Sequence, residues 1–187
     1  VMFGASSAMG PFNKLMDHGA TVVALDVPPN TFPGADKMWK DRLIAKARSS
    51  RGTIIFPCKA DFESASEEEM IKANACGCNL IEQTGEVLEW LKTVCKGKPL
   101  VLGNYTYLDA DNFVKLSVGI DWIMEELMSV RSCSLSLLCT PTDLHIMPKE
   151  AFAAAKRNYS MSLSPKGIML KLIHLLSMGK FLKRNTL

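Results

Sequence analysis

Residues 1–27, VMFGASSAMGPFNKLMDHGATVVALDV, constrain the fold more than any other stretch of this chain. Val1-Met2-Phe3 reads as the end of an apolar strand, Gly4 to Gly10 as a tight turn of small residues, and Pro11 to His18 as a short helix stopped by Gly19. Ala20 to Leu25 reads as a second buried strand that ends in Asp26. Strand, glycine turn, helix and strand in that order make a parallel βαβ unit. Gly4 permits the sharp turn, and Gly10 lets the helix start lie close to the strand. The helix's free N–H groups then face a pyrophosphate, with Ser6, Ser7 and Met9 of the turn among the cofactor-binding candidates. Asp26, sixteen residues past Gly10, falls where a carboxylate accepts hydrogen bonds from ribose hydroxyls and repels a 2′-phosphate, which favours NAD over NADP. The competing reading of the same residues is a bare strand–helix packing turn with no ligand.

The spacing Gly4-x-x-x-Ala8-x-Gly10 resembles the G-x-x-x-G-x-G turn of the short-chain dehydrogenase/reductases, with Ala8 for the middle glycine and Phe3 where a threonine is usual. The resemblance implies an NAD(P)-binding oxidoreductase on an α/β, doubly wound, mainly parallel, Rossmann-like sheet. It also implies roles for single residues. An aspartate after the third strand touches adenine in that family, and Asp61 matches it, although an acidic helix cap is the alternative. An asparagine after the fourth strand lies beside the nicotinamide ribose; Asn104 matches, while the usual N-N-A-G is absent and Tyr105 and Tyr107 intrude. A hydroxyl after the fifth strand orients the carbonyl, and Thr140 or Thr142 takes that place, each with a turn cap as its alternative.

The family's acid–base pair is Tyr-x-x-x-Lys, and the chain contains none. Tyr159 and Lys166 have the Tyr-x6-Lys spacing of enoyl-acyl-carrier-protein reductases, but Pro165 argues against one helix presenting both. The stretches VLGNYTYLDADNFVKLSVGIDWIMEEL and LLCTPTDLHIMPKEAFAAAK resemble reductase-like proteins of algae with secondary plastids. That resemblance implies a plastid setting and a tyrosine–lysine segment beyond Leu187. The second functional reading is a Rossmann-fold accessory subunit without catalysis, part of a larger, photosystem-type plastid membrane assembly.

The rest of the chain predicts helices near 35–48, over 63–94 in two pieces divided at Thr84-Gly85, and over 110–131, with strands at 52–58, 99–102 and 134–139. The 187 residues then form one domain, incomplete at both ends because the first strand is short and the chain opens on valine. A net charge of +3 is too small to argue for nucleic acid, and charges interrupt every apolar run before it reaches membrane-spanning length. Six cysteines placed mostly in predicted strands and helices read as free thiols of a reducing intracellular compartment. Cys76-Gly77-Cys78, with no second pair and no neighbouring histidines, predicts no metal site. Residues 165–184 form a basic amphipathic segment that can pack on its own core, dock on a partner such as a second copy, or lie on a membrane surface.

Overall fold

The computed structural model describes residues 1–109, 111–137, 148–161 and 165–176. The chain divides into two compact units, Val1–Cys139 and Thr140–Leu187. The first unit is an α/β domain on a five-stranded, all-parallel sheet in the order β3-β2-β1-β4-β5. Its strands are β1 (Met2–Phe3), β2 (Thr21–Leu25), β3 (Thr53–Ile55), β4 (Leu100–Asn104) and β5 (Cys133–Leu137). The chain runs outward from β1 to β3 and then returns to start again at β4. The order of the strands therefore reverses between β1 and β4, as in doubly wound Rossmann-like sheets.

β1 has only two residues, yet both flanks hold it. Met2 pairs with Ala24 on one side and with Gly103 on the other, and Phe3 pairs with Leu25 and Asn104. The two-residue period of a strand sends neighbouring side chains to opposite faces. Phe3, Val23 and Leu25 enter one core with Leu100 and Leu102, whereas Met2, Val22 and Ala24 enter the other. Helices cover both. α5 (Thr84–Thr93) supplies Val87, Leu88 and Leu91, and α6 (Asp111–Val130) supplies Leu116, Ile120, Ile123 and Leu127 to the first core. Those four α6 residues recur at intervals of three and four, which lines them on one helical face. α1 (Phe12–Asp17) gives Phe12 and Met16 to the second core.

The helix expected near 35–48 is present in three consecutive pieces. α2 (Ala35–Lys37) passes into a π-helical segment, Met38–Ile44, and then into α3 (Ala45–Arg48). Trp39 and Leu43 from the π-helical segment are fully buried in the second core, and the Trp39 Nε1–H donates to the Val27 carbonyl at 2.8 Å. That bond ties the helix to the chain just past β2.

The expectation of helix over 63–94 needs correction. A short 3-10 turn, Ala60–Phe62, leads to α4 (Glu67–Lys72), whose Ser66 and Glu69 form a capping box. The chain then leaves the helix through Asn74 at φ 53° and Gly77 at φ 85°. Cys76 pairs with Cys58 in an antiparallel bridge, and the Cys78 N–H donates to the Asp26 carbonyl at 2.8 Å. Helix resumes at Thr84, the division point that the sequence predicts. The excursion over 58–77 thus returns the chain to the end of β2.

Directly after α6 comes Arg131, whose guanidinium donates to the carbonyls of Leu91, Val94, Cys95 and Lys98 at 2.7–3.0 Å. These are the last groups of α5 and the loop to β4, where Cys95 adopts φ 50°. In the second unit, α7 (Lys149–Met161) and α8 (Pro165–Leu176) are helical. Proline at the start of α8 suits a position whose N–H has no helical partner.

Candidate nucleotide-binding site

The turn after β1 is held by the backbone. Gly4 has φ 73°, and a Cβ there would lie 3.0 Å from the Tyr105–Thr106 backbone. Its N–H donates to the Leu25 carbonyl at 2.9 Å, the Ser7 N–H to Gly4 at 3.0 Å, and the Gly10 N–H to Ser7 at 3.0 Å. Among the described residues, the Ala8 and Met9 N–H groups have no hydrogen-bond partner, and Met9 is 74% exposed. Two adjacent free amides at the crest of the turn are what an anionic group would use. Gly10 packs closely, since a Cβ on it would sit 3.3 Å from the Met2 side chain.

Asp26 braces this turn from the end of β2. One carboxylate oxygen accepts from the Ser6 N–H at 2.7 Å and the other from the Val27 N–H at 2.9 Å. Asp26 is 8% exposed. Desolvation by burial raises its pKa, with the backbone hydrogen bond from Ser6 and the charge of Arg42 acting the other way. Each carboxylate oxygen retains a second lone pair, so a ribose hydroxyl remains an acceptable donor.

A cavity of about 310 Å³ opens at the carboxyl ends of β1, β2 and β4. Gly4, Ser6 and Ser7 line it from the turn, Asp26 from β2, and Tyr105 to Leu108 from the chain after β4. Phe32, Leu80, Ile81 and Leu116 give it apolar walls, and Asn79 adds an amide. It lies at the strand-order reversal between β1 and β4, where open α/β sheets place their ligands. Its size is at the lower end of the range for small-molecule sites.

Asn79 has no counterpart among the sequence-based candidates. Its Oδ1 accepts from the Ile81 N–H at 3.1 Å and the Glu82 N–H at 3.4 Å, while its own N–H donates to Gln83 Oε1 at 2.9 Å. These bonds fix the start of the segment leading into α5. Asp61, expected beside adenine, lies in the exposed 3-10 turn and does not line this cavity. The excursion over 58–77 separates Asp61 from the point where the chain returns to the sheet edge, so residues 79–81 and not Asp61 line the cavity.

Asn104 points its Oδ1 at the Thr106 N–H and hydroxyl, at 3.1 and 2.8 Å, so it shapes the loop after β4 and does not line the cavity. Gly10 lines a smaller hollow with Ala5, Ser6, Ser7 and Arg42. Arg42 also lines a shallow depression with Ser6, Lys37 and Asp41, and among the described residues it has no ion pair. The structure therefore brings Gly4, Ser6, Ser7 and Asp26 to one cavity and leaves Met9, Gly10, Asp61 and Asn104 outside its walls.

Thr140 and Thr142 lie outside the described residues. Tyr159 belongs to α7 and Lys166 to α8. Of the tyrosines after β4, Tyr105 bonds through its hydroxyl to Ser136 Oγ at 3.1 Å, and Tyr107 donates to Asp109 Oδ1 at 3.1 Å. The bond to Asp109 raises the Tyr107 pKa further from neutrality. Among the described residues, the cavity walls carry no lysine, arginine or histidine. Those residues also hold no cluster of three side chains able to bind a metal ion, and none of their helices is long and apolar enough to cross a membrane. No family model, curated protein or solved structure matches the chain.

Proposed function

We propose that the first unit binds an adenine dinucleotide of the NAD class, with its adenosine in the cavity beside Asp26. The observation that carries the reading is the coincidence of that cavity with the β1/β4 reversal and the glycine turn. Adenine lies between the apolar walls at Phe32 and at Leu80 and Ile81, within reach of Asn79. The ribose faces Asp26 in the cavity, and the pyrophosphate passes out over the turn to the free Ala8 and Met9 amides. Asp26 disfavours a 2′-phosphate by its charge, which is the argument for NAD. Bound there, a nicotinamide dinucleotide supplies hydride-transfer chemistry, as the resemblance to short-chain dehydrogenase/reductases implies. Titration of the protein with NADH, NADPH and AMP by calorimetry tests the reading. NADH and AMP are expected to bind and NADPH to bind more weakly. Equal or tighter NADPH binding would remove the role of Asp26 and hand the 2′-phosphate to Arg42.

A second reading is a nucleotide-binding subunit without catalysis. It is supported by the exposed apolar stripe Val114, Val118 and Trp122 on α6, at 61, 63 and 43% exposure, together with the missing Tyr-x-x-x-Lys. A screen of aldehydes, ketones and enoyl thioesters with NADH separates the two. Turnover abolished by Tyr159→Phe would refute the second reading.

A further inference from the structure

Cys58 and Cys76 face each other across the isolated antiparallel bridge that closes the 58–77 excursion. The hydrogen bonds around them define the kind of pair. The Lys59 N–H donates to the Ala75 carbonyl at 2.9 Å, and the Gly77 N–H donates to the Pro57 carbonyl at 3.0 Å. Both bonds flank the cysteines and neither joins them, so this is a non-hydrogen-bonded pair, with side chains on one face and Cα atoms about 4.5 Å apart in such pairs. Disulfides span Cα separations of roughly 4.4–6.8 Å. A pair of this kind therefore brings the two Cα atoms within the span that a disulfide needs. Cys78, the other member of the C-x-C sequence, belongs to the core on the opposite side of the sheet from Cys76. It is not a competing partner.

We propose that Cys58 and Cys76 are an oxidisable dithiol that closes into a cross-strand disulfide by exchange with a small-molecule disulfide. Cys58 is half-buried and Cys76 is buried, so Cys58 is the point of entry. The Cys58 thiolate attacks one sulfur of the oxidant, forming a mixed disulfide and releasing one thiol. The Cys76 thiolate then attacks the Cys58 sulfur, forming the protein disulfide and releasing the second thiol. Two protein thiols are oxidised, and the oxidant's disulfide is reduced to two thiols that carry off both protons. Burial pushes the Cys58 thiol up and the Cys76 thiol up to about 11, so the exchange accelerates as pH rises. The cross-link would close a loop over the eighteen-position separation of the two residues, tying α4 and its exit to the chain beyond β3.

The test is incubation of the full chain with oxidised glutathione at pH 8.5, followed by free-thiol counting, intact mass and non-reduced peptide mapping. The expected product has lost two thiols and 2 Da, about 2 hydrogen atoms, as any dithiol-to-disulfide conversion requires. Its peptides join Cys58 to Cys76, and its Tm is raised by roughly 6–12 °C. Cys58→Ser should prevent the linkage and leave the other thiols free. A stable glutathione adduct on Cys58 with no closure, or a linkage of Cys95 to Cys133 in its place, would overturn the proposal. Mapping on the unsubstituted chain keeps the test valid if Cys58→Ser does not fold.

Discussion

Gly77 sits where the excursion over 58–77 rejoins the sheet, and its replacement by alanine should cost more than the same change at Gly97 or Gly85. Two effects add there. The residue adopts φ 85°, which costs an L-residue about 1–2 kcal/mol. A Cβ would also lie 2.7 Å from the Asp26 carbonyl oxygen and 2.9 Å from that of Val27, both backbone atoms, with the Trp39 ring at 3.1 Å. Relief requires the β2 end to move, an overpacking cost of about 1–3 kcal/mol. The sum is about 2–5 kcal/mol, a large part of the stability of an ordinary domain. Gly97 separates the two effects, since it has φ 79° but nothing within 4 Å of where a Cβ would stand. Gly97→Ala should cost only the conformational part, about 1–2 kcal/mol. Gly85 lies in α5 with open space and no positive φ, so Gly85→Ala should be neutral or stabilising by up to about 1 kcal/mol. Thermal denaturation of the three variants at pH 7 measures the series, with each 1 kcal/mol moving Tm by roughly 2–4 °C at this chain length. Equal losses for Gly77→Ala and Gly97→Ala would refute the packing of residues 77–78 against the end of β2.

Arg131→Ala removes donors from four carbonyls at the end of α5, and chemical denaturation should register a loss of about 2–3 kcal/mol. Asp26 has a folded-state pKa raised by burial, so its contribution to stability is fully present below the unfolded carboxylate value of 3.8 and is lost as pH rises through the folded value. The stability of the parent protein relative to Asp26→Asn should therefore fall as pH rises through that window; a difference that grows with pH would contradict the assignment. Asn79→Ala should weaken AMP binding roughly tenfold, about 1.4 kcal/mol, while Asp61→Asn leaves it unchanged, as read by calorimetry well below Tm.

The parts of the fold that local pattern controls were legible. The run from Val1 to Asp26 reads correctly as strand, turn, helix and strand because Gly4, Gly10 and Gly19 punctuate it and Val22 to Leu25 are apolar throughout. The α6 stripe, with Leu116, Ile120, Ile123 and Leu127, likewise places a helix within a residue at each end. What sequence pattern could not convey is long-range return. Asn74 and Gly77 mark a break inside the expected 63–94 helix, but nothing local says that the chain pairs Cys76 with Cys58 or bonds Cys78 to Asp26. That Asn79 lines the cavity and Asp61 does not follows from that return. The role of Asp26 as a brace for Ser6 was hidden similarly, because a carboxylate at a strand end reads the same whether it faces a ribose or a backbone N–H.

The location of the adenosine is the central claim, and photolabelling with an 8-azidoadenine analogue of NAD tests it most directly. Peptide mapping after irradiation should find the label on segments carrying Phe32 or Asn79 to Ile81, and excess AMP should suppress it. Label on the Asp61 segment, or label that AMP does not displace, would contradict the account.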